Sequence, residues 1–181
     1  MQSPSPRVPE QSAPNRPDTA SARADVEARL TPELASVVSG ARRRAHRDGD
    51  RQIDTAHLLH SLLESDPEVR AAFDGDPQLA RVLGYLVQRS IGYGLRWQGT
   101  VEDSGAVPLV RDVTGWSPPA VTAMASALER AERRGEPRAG GLDLLAALSA
   151  DRECRAVDVL ERAGVDARSL AGRLSGTSRS I

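Results

Sequence analysis

Residues Leu30–Leu63 read LTPELASVVSGARRRAHRDGDRQIDTAHLLHSLL, and residues Trp116–Ser149 read WSPPAVTAMASALERAERRGEPRAGGLDLLAALS. At a constant offset of 86 positions, both stretches carry a hydroxyl residue before a proline, small residues at helical spacing, a glycine and a set of leucines. The aligned pairs include Thr31 with Ser117, Pro32 with Pro118, Gly49 with Gly135 and Leu58 with Leu144. Two unrelated helical segments would not share all of these signals. The repeat therefore predicts two copies of one helical unit.

The composition favours helices over sheets. Aromatic residues make up 3% of the 181 residues, so the core has to be built from Ala, Leu and Val, which suit closely packed helices. In each copy a hydroxyl N-cap and a proline open the first helix, and the glycine ends it. We expect an all-α fold in which two pseudo-symmetric four-helix repeats pack as one domain.

Four segments are predicted along the chain. Residues 1–23 are rich in Pro and Ser and are expected to form a disordered tail. Residues 24–89 and 116–176 hold the first and second helical repeats. The inter-repeat segment, residues 90–115, is rich in glycine but too apolar for a free linker, so we expect it to be ordered against the helices. No stretch has the length of a signal peptide or a membrane helix, which predicts a cytoplasmic protein.

Several function classes are disfavoured by the residues. The formal net charge is −1, which gives no field to attract nucleic acid or an anionic membrane. All 24 basic residues are arginine, so a phosphate-binding loop that needs lysine cannot exist. The single cysteine, Cys154, is interpreted as a small helix residue and not as a nucleophile. His57 and His60 lack a third ligand nearby in sequence, so no metal site, cofactor or enzyme activity is expected.

These residues resemble a known family. The string from Leu30, with TAHLLHSLL at Thr55–Leu63, is similar to the tandem repeat of the amino-terminal domain of Clp-type chaperone ATPases, whose motif runs F-T-x-x-A…G-H…I-G-T-E-H-L-L-x-G-L-L. The resemblance extends over 30–174. It implies an eight-helix, non-enzymatic, ClpC-like docking domain for substrates or adaptors. We expect it to stand alone without the family's ATPase motor, because a chain without lysine has no Walker A loop. The use of arginine alone, with abundant Ala and Gly, indicates a GC-rich, actinobacterial source.

The departures from the family motif concern ligand binding. In the ClpC-type branch the Glu of each G-T-E-H motif helps to hold phosphorylated arginine, and those positions are Ala56 and Leu142 here. Without a carboxylate, the charge-assisted bond to a guanidinium is lost at both sites. The His of the motif is kept as His57 in the first copy and replaced by Asp143 in the second. The scaffold is kept, and the sequence predicts a changed ligand.

A partner-binding face is predicted at the starts of the two repeats. In relatives, the first helices and their leading residues accept hydrophobic or cyclic peptides, and an apolar platform of this kind is predicted here. Its alternative is that Trp116 packs as a hydrophobic staple over its own helix start. The candidate binding residues are Leu30, Thr31, Val38, Arg42, Trp116, Ser117 and Val121.

The leading functional hypothesis is a peptide- or protein-docking module that acts as adaptor, regulator or decoy in Clp-dependent proteolysis. Its expected partners are a Clp-type ATPase, the adaptors of that ATPase, or client peptides, cyclic peptides among them. The alternative is a nucleic-acid-associated regulator that uses the basic strip at Arg42–Arg51. The sequence favours a solvated face for this strip, because no aromatic stacking partner and no motif that reads nucleic acid accompanies it.

Overall fold

The structure, a computed structural model, describes residues 19–91, 102 and 115–176. Helices account for all the regular secondary structure of these residues, which confirms the all-α fold class. In chain order they are α1 (Thr19–Ala28), α2 (Pro32–Asp48), α3 (Thr55–Ser65), α4 (Pro67–Ala71), α5 (Asp76–Ser90), α6 (Pro118–Arg133), α7 (Gly141–Ala150), α8 (Arg155–Arg162) and α9 (Ala167–Gly176).

Helices α2–α5 form the first repeat and α6–α9 the second. The N-caps are those predicted: the Thr31 hydroxyl accepts the Leu34 N–H at 3.2 Å, and the Ser117 hydroxyl accepts the Ala120 N–H at 3.3 Å. Gly49 and Gly135, which follow α2 and α6, both have a φ of 74°. A side chain at that left-handed conformation would be strained, which explains why glycine ends both helices.

Two isolated backbone bridges join the repeats, and they pair Leu30 with Ala139 and Ile53 with Trp116. The Thr31 N–H donates to the Ala139 carbonyl at 2.9 Å, and the Ser117 N–H donates to the Ile53 carbonyl at 2.9 Å. Shifting one bridge by 86 positions and exchanging the repeats gives the other bridge. The two four-helix units are therefore pseudo-symmetric and share one domain.

The core is centred on α3 and α7, which pack against each other. Helix α2 covers α3, helix α6 covers α7, and the repeats also interlock because α3 packs on α8 and α7 packs on α4. The leucines that define the repeat are fully buried, and they are Leu58, Leu59, Leu62, Leu63, Leu144, Leu145 and Leu148. Each such side chain contributes roughly 1.5–3 kcal/mol through burial.

Two of the predicted segments, the tail and the inter-repeat segment, can be compared with the structure. Helix α1 begins at Thr19, inside the stretch assigned to the tail, because TASARADVEA has no proline and is rich in helix formers. Its described side chains, residues 24–28, are exposed. Most of the inter-repeat segment lies outside the described residues, so its order against the helices remains a prediction. Glu102 is described and is buried.

Close packing between the repeats predicts that Gly141→Ala is destabilising by about 1–3 kcal/mol. A Cβ at Gly141 would overlap Asp66 Oδ2 and lie 2.9 Å from Val69 Cγ2, so α4 and α7 would have to separate. Gly84→Ala is the matched control, since a Cβ there meets nothing within 4 Å and alanine favours the helix by about 0.5–1 kcal/mol. Urea unfolding measures both changes, and equal stability of the two variants would contradict this account of the interface.

Candidate functional site

The seven predicted binding residues do not form one exposed surface. Leu30, Val38 and Ser117 are at most 4% exposed, because the first two pack in the core and the third caps α6. Thr31, Trp116 and Val121 are partly exposed, and Arg42 is exposed. Partner binding by this set remains a prediction, and any direct contact has to come from its exposed members.

A surface pocket brings two of the predicted residues together, Arg42 and Trp116. Its volume is about 370 Å³, within the range of small-ligand and side-chain pockets. The pocket lies where the carboxyl end of α2, the turn before α3 and the start of the second repeat meet. It is lined by Arg42, Ala45, His46, Asp50, Arg51, Gln52, Ile53, Gly115 and Trp116. We call it the Trp116 pocket.

Basic groups dominate the rim of the Trp116 pocket. Within the described residues, the side chains of Arg42, His46 and Arg51 take part in no ion pair or hydrogen bond. Asp50 is the acidic residue of the lining, but its carboxylate already contacts Arg89 at 3.2 Å and His57 Nε2 at 3.1 Å. The pocket therefore presents unpaired positive charge to a ligand.

The backbone bridge between Ile53 and Trp116 positions Trp116 in this pocket. The Ile53 N–H donates to the Gly115 carbonyl at 2.6 Å, and the Ser117 N–H returns to the Ile53 carbonyl, so the backbone on both sides of Trp116 is fixed. The indole packs against the core and lines the pocket beside Arg42 and Arg51. The basic strip thus does have an aromatic neighbour. This neighbour could not be predicted from the sequence, because Trp116 belongs to the other repeat.

A buried carboxylate, Glu102, joins three helix starts. Its Oε2 accepts the Thr55 N–H at 2.9 Å and the Ser117 hydroxyl at 2.6 Å, and its Oε1 accepts the Arg155 N–H at 2.8 Å and the Thr55 hydroxyl. The N-termini of α3, α6 and α8 carry partial positive charge, which a carboxylate stabilises. No local pattern points to this residue, because its partners lie 15 to 53 positions away.

A second buried cluster holds the start of α3. The Asp54 carboxylate accepts the His57 N–H at 2.9 Å, and His57 Nδ1 accepts the Asp54 N–H at 3.1 Å, which completes a capping box. Asp54 Oδ2 also accepts hydrogen bonds from Arg89 and from Arg155, the latter at 2.7 Å. His57 therefore has a structural role at the start of α3.

Charge and burial oppose each other at Asp54. Burial alone would raise the pKa of Asp54, but its hydrogen bonds with His57 and the charge of Arg89 hold that pKa well below its ordinary 3.8. Asp54, Asp50 and His57 also have ligand atoms within 4.8 Å of one another, a spacing that fits a metal ion. Because their oxygens already pair with Arg89 and Arg155, an ion would have to displace both guanidinium groups.

Other residues singled out in the sequence are accounted for by packing. Cys154 is 1% exposed, its thiol donates to the Leu148 carbonyl at 3.4 Å, and burial raises its pKa to about 12. It is therefore a neutral thiol at physiological pH and unsuited to nucleophilic attack. Ala56 is fully buried, and Leu142 packs against the core, so neither position of the family's glutamates offers a polar contact.

The all-α fold matches that of a Clp amino-terminal domain. A similar solved structure is the N-terminal domain of the caseinolytic protease-associated chaperone ClpD from Arabidopsis thaliana, with a TM-score of 0.59 and 15% sequence identity. The match covers 84% of this chain and 96% of that chain.

A chain from preliminary structural work on a malarial protein secretion system is comparably similar, with a TM-score of 0.59, 14% identity and coverage of 83% and 95% of the two chains. No family model matches this chain. No curated protein matches it either. At these identities the likeness establishes the fold, and the ClpC-like and actinobacterial assignments remain predictions.

Proposed function

We propose that this chain is a non-enzymatic docking module that binds a protein or peptide partner in Clp-dependent proteolysis, as adaptor, regulator or decoy. The observation that carries the proposal is the Trp116 pocket, an apolar and basic recess on a Clp amino-terminal fold. Aromatic and arginine side chains around a recess are the residues that most often supply binding energy in protein interfaces.

The expected partners are a Clp-type ATPase, the adaptors of that ATPase, or client peptides, including cyclic ones. None of the described helices combines the length and the apolar character that a membrane span requires. We propose a cytoplasmic location, in which this chain and a Clp ATPase share one compartment. The absence of a glutamate at Ala56 and Leu142 favours a ligand other than phosphoarginine bound in the ClpC manner.

Trp116→Ala is expected to weaken binding to a Clp component at least tenfold, because a half-buried indole that lines a recess is a typical hot spot. The measurement is the affinity of the purified chain for the Clp ATPase and the adaptors of its source cell. Val87→Ala is the matched control, since Val87 is 49% exposed and lies outside the pocket. If no Clp component binds, or if both variants bind equally, the docking proposal fails.

The nucleic-acid alternative gains one observation from the structure, namely the position of Trp116 beside Arg42 and Arg51. A base could stack on the indole while the arginines meet phosphates. This function requires affinity that falls steeply with salt and with Arg43→Ala plus Arg47→Ala, since a polyanion would follow the whole strip. Peptide docking in the pocket does not require Arg43 or Arg47, which lie outside its lining.

A further inference from the structure

The residues that the first repeat contributes to the Trp116 pocket have counterparts in the second repeat, and these provide an internal comparison. At the 86-position offset, Arg42, His46 and Arg51 correspond to Leu128, Glu132 and Pro137. Helix α6 folds with a leucine and a glutamate where α2 has Arg42 and His46. The fold therefore does not require these basic groups.

The charge of the pocket is also not balanced from within the described chain. Asp50 pairs with Arg89 and His57, and the side chains of Arg42, His46 and Arg51 have no ionic partner among the described residues. A guanidinium is best satisfied by a carboxylate, which it can bind with two parallel hydrogen bonds. The group that complements the rim is therefore an anion.

The floor of the pocket is apolar. Ile53 is 4% exposed, Ala45 is 4% exposed, and the Trp116 indole forms one wall. A volume of about 370 Å³ is at the lower end for ligand pockets, which suits one or two side chains. A ligand that fills it has to combine an acidic group with an adjoining apolar one.

Resting on the proposed docking function, we infer that the Trp116 pocket selects a peptide segment with an aspartate or glutamate next to an apolar residue. The carboxylate pairs with Arg42 and the neighbouring His46 or Arg51, and the apolar side chain lies against Trp116 and Ile53. A nucleic-acid strand fits less well, because Asp48 and Asp50 lie within the strip and the chain's net charge is −1.

The test is a selection from a random twelve-residue peptide library, displayed on phage, against the purified chain. Peptides enriched in an acidic residue adjoining an apolar one are the expected result. The affinity of one selected peptide is then measured by Trp116 fluorescence in a Trp97→Phe background, with an oligothymidine of fifteen nucleotides as competitor. No enrichment, enrichment of basic peptides, or displacement by the oligonucleotide overturns the inference.

Arg42→Leu with His46→Glu is the decisive variant, because it installs the residues that the second repeat carries at these positions. It should fold with an unchanged helical circular dichroism spectrum and bind the selected peptide at least tenfold more weakly. Arg43→Glu is the matched control, since Arg43 is exposed on the same helix, lies outside the pocket and corresponds to Glu129. Equal loss in the control and the double variant overturns the inference.

The outcome also separates this inference from the function it rests on. If a Clp component binds and requires Trp116 but tolerates the double variant, docking holds and the acidic–apolar selectivity is wrong. If neither a Clp component nor any library peptide binds, both are wrong.

Discussion

Asp54→Asn is expected to lower the free energy of unfolding at pH 7 by about 3–5 kcal/mol, which is the typical cost of removing one partner from a buried ion pair. The asparagine keeps an oxygen for the cap of α3, so the change isolates the charge. It leaves Arg155 and Arg89 beside a neutral group in a site where Asp54 is 2% exposed. Denaturant unfolding of the two proteins measures the difference.

The pH dependence gives this prediction a second readout. The pKa of Asp54 is lowered in the folded state, so its contribution is fully present above the ordinary value of 3.8 and is lost as the pH falls below that value. The stability difference between wild type and Asp54→Asn should therefore stay constant from pH 7 to about pH 5 and shrink below about pH 4. A difference that grows on acidification would contradict the assignment.

Two other causes of a stability difference between wild type and Asp54→Asn can be excluded. His60 also titrates abnormally, because burial and the charge of Arg44 lower its pKa to about 4, but it is present in both proteins and cancels in the difference. Asp158→Asn removes an exposed pair with Arg162 and should change stability by less than about 0.5 kcal/mol. A comparable loss in this control would mean that charge removal at any site has the same cost.

Glu102→Ala is expected to destabilise the domain by about 2–4 kcal/mol, because it leaves several buried hydrogen-bond donors without an acceptor. The Thr55 and Arg155 N–H groups and the Ser117 hydroxyl all donate to this carboxylate. Glu102→Gln retains an acceptor oxygen and should lose less. Thermal or urea unfolding of the three proteins provides the measurement.

The matched control for Glu102 is Glu129→Ala, which removes an exposed carboxylate on α6 and should change stability by less than about 0.5 kcal/mol. Amide hydrogen exchange adds a local readout. Protection should fall first at Thr55 and Arg155, where the carboxylate accepts the amides, before it falls at the leucines of α3. If Glu102→Ala unfolds like wild type, the carboxylate does not join the two repeats energetically.

The helical frame could be predicted from the chain alone because its signals are local. The hydroxyl caps at Thr31 and Ser117 act on amides three residues away, and Gly49 and Gly135 act through their own backbone conformation. The leucines at helical spacing then specify which helix faces are buried. The offset of 86 positions specifies that the same buried faces occur in two copies. The all-α fold with two pseudo-symmetric units follows from these features.

The candidate site could be predicted only in part. Arg42 and Trp116 were among the residues chosen, but the sequence placed Leu30 and Val38 beside them on an exposed platform, whereas both are buried. A 3.6-residue period identifies an apolar face and does not say whether another helix covers it. Which apolar residues remain open to a partner is decided by how the two repeats pack.

What the sequence by itself determined is therefore the repeat, the helices with their caps, and the missing family carboxylates at Ala56 and Leu142. Tertiary structure alone decided that Trp116 closes a basic pocket of the other repeat, that Arg155 pairs with Asp54 across 101 positions, and that Glu102 joins three helix starts. The physical reason is the separation in sequence over which each kind of interaction acts. Capping and amphipathic periodicity act within a few residues, whereas these polar contacts exist because chain folding excludes water from groups that are far apart in sequence.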